Sequence, residues 1–137
     1  LEMLGADGGP WSRICALPAL WVGLLYDQTA LDAAWDVVKD WSMEEREALR
    51  NAVPKEGLAA TVPGGRTLQE LGREVLAIAR EGLTARGFLN TGGDNESGFL
   101  QTLDEIVESG KSPAQRMLDR YHGEWNGDIS RIYKYSF

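Results

Sequence analysis

The chain has 137 residues and a formal net charge of −7, and its composition is 43% hydrophobic and 26% charged. Such a chain can bury the core of one globular domain, and the composition excludes a disordered segment. The acidic balance argues against nucleic acid or an anionic membrane as a partner. Because Cys15 is the one cysteine and His122 the one histidine, an internal disulfide and a cysteine–histidine zinc site are excluded.

The first ten residues predict the end of a β-strand, carrying Glu2, which runs into a glycine-rich turn that contains Asp7. Turns of this kind at strand ends often hold ligands in α/β and α+β enzymes. The turn lacks the Lys-Ser/Thr of a Walker phosphate loop and the spacing of a dinucleotide fingerprint. By residue type, Glu2 could ligate Mg²⁺, although one carboxylate is not a site, and Asp7 could be a ligand or a helix cap. The abrupt start suggests a piece of a longer protein.

Residues 11–26 predict a helix that is apolar on nearly every side and is therefore buried. Pro18 should either start this helix or kink it. The apolar run is shorter than the ~20 residues of a membrane span, so we expect no membrane partner. A second helix should follow to about residue 41, with Asp27 or Thr29 as its cap. With no visible signal peptide and one cysteine, we expect a cytoplasmic location.

Two capping boxes predict further helix starts, at Ser42 with Glu45 and at Thr67 with Glu70. The first of these helices should run from Met43 to about Asn51, and residues 53–66 should form a loop because they hold two prolines and three glycines. The second is the clearest amphipathic helix, with an apolar stripe of Leu68, Leu71, Val75, Ile78, Ala79 and Leu83.

The C-terminal part predicts a polar loop at 91–98 and then a helix that is closed by Gly110. Ser112 and Pro113 should start a last helix through Tyr121. The tail after it is expected to pack against the protein through its apolar residues Trp125, Ile129, Ile132, Tyr133 and Phe137. The chain is therefore predicted to be mostly α, with one strand end at its N-terminus.

Two residue types that often carry chemistry fit simpler roles here. His122 at the end of a helix fits a group favoured by the helix dipole better than a catalytic base. Cys15 inside an apolar helix fits a small core residue better than a nucleophile.

Three stretches resemble glutamate–cysteine ligase of the plant and proteobacterial type. Residues 1–27 read LEMLGADGGPWSRICALPALWVGLLYD, and in that family the start reads Leu-Glu-Met-Arg-Gly-Ala-Asp-Gly-Gly-Pro-Trp before an aromatic helix. Residues 74–88 resemble its long later helix, and residues 109–125, which end in Tyr-His-Gly-Glu-Trp, resemble its closing segment. The resemblance covers essentially the whole chain and implies the C-terminal third of a single catalytic domain, whose upstream part would be a partner.

The resemblance implies an α+β fold in the intact enzyme, a glutamine-synthetase-like antiparallel sheet with helices. This chain would supply the strand end and turn, 1–10, and a helical region, 11–137. The implied reaction is ATP-dependent: ATP phosphorylates the side-chain carboxylate of glutamate, and the amine of cysteine then displaces phosphate to give γ-glutamylcysteine. This is the first step of glutathione synthesis, and Mg²⁺ would span the phosphates.

The family motif maps onto three positions of this chain. Glu2 falls on a metal ligand, and Leu4 falls where the family arginine contacts the nucleotide phosphates. Because leucine donates neither charge nor hydrogen bonds, the enzyme is impaired, another cation takes over, or the residue is a sequence error. Ser12 stands where the family often has a basic residue. Arg13 is the remaining candidate to bind the phosphate region of ATP. No catalytic residue is assigned. The alternatives to the glutamate–cysteine ligase function are a sibling ligase with another amine substrate and a non-catalytic helical interaction module.

Overall fold

The computed structural model describes residues 9–134, and most of them are helical. Residues 9–134 form six α-helices: α1 Trp11–Leu25, α2 Gln28–Val38, α3 Met43–Glu56, α4 Leu68–Arg86, α5 Gln101–Ser109 and α6 Pro113–His122. Three 3₁₀ segments join or follow them, at Gly57–Ala59, Glu96–Leu100 and Ile129–Lys134. Residues 9–134 contain no β-strand, only the isolated antiparallel bridges Thr61–Thr67 and Leu89–Asn95. The mostly helical prediction is confirmed, while the strand end at Glu2 lies outside the described residues.

Most helix boundaries follow from local capping chemistry. Both predicted capping boxes are present at the starts of α3 and α4. The carboxylate of Asp27, rather than the hydroxyl of Thr29, caps α2 by accepting from the backbone N–H of Ala30 at 2.9 Å. Ser112 caps α6, and Gly110 ends α5 in the left-handed conformation. Because each cap satisfies otherwise unpaired backbone groups, these ends were predictable from neighbouring residues alone.

The predicted loop at 53–66 is wrong over its first residues, because α3 continues through Pro54 to Glu56. Pro54 lies in the last turn of α3, where a missing N–H removes one intrahelical bond near the helix end. The helix ends at Gly57, whose φ of 57° is a conformation that glycine adopts easily. The remainder forms a tight turn around Gly64 and Gly65.

The core lies where α4 packs against α1, α2 and α5. Its buried side chains come mainly from α1 and α4, namely Ala19, Leu24, Leu76, Ala79 and Leu83, with Leu100 and Val107 from the C-terminal part. The backbones of α1 and α4 meet at Gly23 and Gly82. A Cβ built on Gly82 would lie 1.9 Å from the carbonyl oxygen of Gly23, so glycine is required for this approach.

Pro18 lies inside α1 and does not start it. Among the described residues, no single helix is both long and apolar enough to cross a membrane. α1 and α2 would meet that requirement only as a pair, and they are bent by 94° at the break between them.

The C-terminal tail packs less completely than its sequence predicts. Trp125 is 1% exposed, but Ile129 and Tyr133 are 62% and 74% exposed. Phe137 lies outside the described residues. The hydrogen bonds of Arg116 to the Glu105 carbonyl and the Ser109 hydroxyl, at 2.9 and 2.7 Å, tie α6 to α5.

Candidate functional site

The first turn of α1 combines a cation with a helix N-terminus that no side chain of residues 9–134 caps. Its N-cap is Pro10, which provides no side-chain hydrogen bond, and no acidic residue lies in the first turn. The backbone N–H of Arg13 donates to the Pro10 carbonyl at 2.9 Å, and the helix dipole gives this end of α1 a partial positive charge. Arg13 lies in the same turn, half-buried, and no carboxylate of residues 9–134 pairs with it. This end of the helix suits an anionic ligand in an otherwise acidic chain.

Arg13 lies against the end of the glycine-rich turn. A Cβ built on Gly9 would be 3.0 Å from Nε and 3.2 Å from Cζ of Arg13. A side chain at position 9 would displace the guanidinium, so the glycine allows Arg13 its present position. The other residues of the motif, Glu2, Leu4 and Asp7, lie outside the described residues.

A groove adjoins this turn on the side of α5. It has a volume of about 320 Å³ and is lined by Ser12, Gly98, Phe99, Gln101, Thr102 and Glu105. The ring of Phe99 is 53% exposed. Sequence reasoning missed this groove, although it identified the polar loop at 91–98, because nothing in the sequence links that region to Ser12.

The described residues do not form a metal site by themselves. Within 9–134, no three carboxylate, histidine or cysteine side chains come close enough together to hold a metal ion. Cys15 is half-buried in α1, and His122 is the last residue of α6, where its ring contacts that of Tyr121 edge-on at 5.1 Å. The structure thus brings neither residue into the groove beside Arg13.

Shifted pKa values occur at helix caps and surface ion pairs of the described chain. Hydrogen bonds from the backbone and hydroxyl of Thr67 hold the pKa of Glu70 below its ordinary value. Hydrogen bonds from Lys111 and Gln115 lower the pKa of Asp119. Both carboxylates are exposed, and both serve the local structure of a helix.

A second cluster joins the C-terminal ends of α1 and α4. The guanidinium carbon of Arg86 lies 4.6 Å from the ring centroid of Phe88 and 5.5 Å from that of Tyr26. Arg86 also donates to the carboxylate of Glu96 at 3.0 Å. Cation–π contact and ion pairing together hold the 87–96 connection against α1, which fixes the start of the segment that lines the groove.

Comparison with known proteins identifies the family. The model for glutamate-cysteine ligase family 2 matches residues 1–135. The chain belongs to this family. It is 47% identical over 133 residues to the chloroplastic glutamate–cysteine ligase of Medicago truncatula, covering 97% of this chain and 25% of that protein. The chloroplastic enzymes of Solanum lycopersicum and Arabidopsis thaliana are each 46% identical over 134 residues, covering 98% of this chain and 24% of each relative.

These matches confirm the resemblance to glutamate–cysteine ligase and correct two expectations. The chain spans about a quarter of the length of these ligases, which is less than the third expected. The expected cytoplasmic location is contradicted, because these relatives are chloroplastic ligases by name. The absence of a visible signal peptide carries no information about location, because the chain spans only part of the length of its relatives.

Proposed function

We propose that this chain is the C-terminal part of a glutamate–cysteine ligase that makes γ-glutamylcysteine, the first step of glutathione biosynthesis. The observation that carries the proposal is the family match along residues 1–135, with 47% identity to a named ligase. The γ-phosphoryl group of ATP passes to a side-chain carboxylate oxygen of glutamate, and ADP leaves. The cysteine amine then attacks the acyl phosphate, and inorganic phosphate leaves as the amide forms. The relatives' names favour a plastid for the whole enzyme.

Within this enzyme, the first turn of α1 is proposed to bind the phosphates of ATP. Arg13 supplies a full positive charge, and the positive end of the helix dipole lies beside it. Leu4 occupies the position of the family arginine and supplies neither, so Arg13 and the helix end would carry this role.

Glu2 is the one residue of this chain that we propose as a magnesium ligand. The described residues do not fit a magnesium site, since they offer no cluster of three ligands. The other ligands, and the pockets for glutamate and cysteine, would come from the rest of the ligase, including the antiparallel sheet that the family resemblance implies.

The proposal is tested by calorimetric titration of residues 1–137 with Mg-ATP, first alone and then with the upstream part of the ligase supplied in trans. Without the remaining ligands, the chain alone should show no binding at micromolar nucleotide, and the upstream part should restore it. Micromolar binding by the chain alone would favour an independent nucleotide-binding module instead.

A second measurement separates the ligase from its alternatives. The full-length protein that contains this chain should release phosphate from ATP in proportion to the γ-glutamylcysteine formed, and only with both amino acids present. Turnover with another amine in place of cysteine would identify a sibling ligase. Absence of any turnover would favour the helical interaction module.

A further inference from the structure

The groove beside Arg13 contains polar side chains that the fold does not use. The side chains of Ser12, Gln101, Thr102 and Glu105 make no hydrogen bond or ion pair within the described part of the chain. Glu105 contributes to the fold through its backbone carbonyl, which accepts from Arg116. Four polar side chains thus face one groove with their hydrogen-bonding capacity available to a ligand.

Other polar grooves along α4 differ in this respect. The groove between α2 and α4 contains the ion pair of Arg66 with Glu74 at 2.6 Å. The groove between α4 and α5 contains two ion pairs, Arg73 with Glu108 and Arg80 with Asp104, at 2.9 and 2.6 Å. In both grooves, charged side chains already hold helices or loops together. The groove beside Arg13 is therefore the better candidate for a ligand.

The lining of this groove selects the class of ligand. The half-exposed ring of Phe99 offers a flat apolar face, and Gly98 leaves open space where a Cβ would stand. The hydroxyls and the amide can donate to ring nitrogens, and the Glu105 carboxylate can accept from sugar hydroxyls. Glu105 is the one charged side chain of the lining, so a phosphate chain or the dicarboxylate glutamate is disfavoured there. Cysteine is uncharged overall but has no flat ring to cover Phe99.

A nucleoside has the properties that this lining favours, because it is uncharged and combines a flat ring with hydroxyl groups. We infer that this groove binds the adenosine part of ATP, with the base on Phe99 and the ribose near Glu105 and Thr102. Ser12 lines the groove, and Arg13, the proposed phosphate-binding residue, is the next residue of α1, so both lie at the same end of this helix. The volume of about 320 Å³ lies within the range of small-molecule sites. This inference rests on the proposed ATP-dependent ligation.

The first test measures steady-state kinetics of the full-length ligase carrying Phe99→Ala. Loss of base stacking should raise KM for ATP on the order of 10-fold, while KM for glutamate and for cysteine stays unchanged. Phe99→Trp should retain the wild-type KM for ATP. Trp35→Ala is the matched control, because Trp35 is a similarly exposed aromatic residue, 58% exposed, on α2. An unchanged KM for ATP, or a raised KM for cysteine, would overturn the assignment.

The second test does not depend on activity. Photolabelling the full-length protein with 8-azido-ATP should modify the peptide that contains Phe99, and excess ATP should protect it. Glu105→Gln should weaken labelling without removing the ring. If the protein is labelled there but makes no γ-glutamylcysteine, the nucleotide site stands and the proposed ligase function fails. If the ligase is active but labelling occurs elsewhere, the adenosine assignment fails alone.

Discussion

The contact between Gly23 and Gly82 gives the sharpest prediction about stability. In Gly82→Ala, the new Cβ would lie 1.9 Å from the Gly23 carbonyl oxygen and 2.9 Å from the Cβ of Ala30. Real Cβ atoms essentially never approach closer than 3.0 Å, so the two backbones must separate by about 1 Å. Because the nearest atom belongs to a helix backbone, no side-chain rotation can relieve the contact.

The expected loss can be worked out from two opposing effects. Overpacking a core costs about 1–3 kcal/mol, and a contact with backbone lies at the upper end of that range. Alanine recovers about 1 kcal/mol because it favours helix over glycine. Gly82→Ala should therefore lower the free energy of unfolding by about 2 kcal/mol.

Gly72→Ala is the matched control on the same helix. Its Cβ would meet a methyl group of Val107 at 3.1 Å, and a side chain can adjust. This variant should be neutral or slightly stabilised, since the gain in helix propensity remains. Urea denaturation followed by circular dichroism measures both variants against the parent chain. Equal stability of the Gly82→Ala and Gly72→Ala variants would refute the close packing of α1 on α4.

Three further variants and one control test the phosphate role of position 4, a helix cap and a cation–π contact. In the full-length ligase, Leu4→Arg should raise kcat/KM for ATP by an amount equivalent to roughly 2–4 kcal/mol, because the arginine can donate hydrogen bonds to the phosphates of ATP. Equal kcat/KM values for the two enzymes would refute the phosphate role of this position. Since the pKa of Glu70 is lowered, its capping contribution is present above its ordinary pKa of 4.5 and is lost as the pH falls through the lowered value. Glu70→Gln should therefore reduce the loss of stability below pH 4.5, measured by denaturation at each pH. Arg86→Lys should cost about 1 kcal/mol in thermal unfolding, because an ammonium cannot stack on Phe88 as a guanidinium does, whereas Arg73→Lys at an exposed ion pair should cost little.

Features that depend on neighbouring residues could be predicted from the sequence. Ser42 with Glu45 and Thr67 with Glu70 specified two helix starts, and Gly110 specified a helix end, because caps pair groups within one turn. Local signals mislead at Pro54, which predicts a loop, because a helix tolerates one lost hydrogen bond near its end. The motif at residues 1–27 was also sufficient to suggest the family that the comparisons confirm.

Which distant residues meet depends on how the helices pack and could not be predicted from the sequence. Nothing near Gly23 or Gly82 in the sequence shows that their backbones touch, because this contact depends on how two helices cross. In the same way, Ser12 and the residues around Phe99 share a groove only because α1, α4 and the Glu96–Leu100 segment pack around one core. Side-chain patterns report which face of a helix is buried, but the partner of that face is set by packing among all the helices at once.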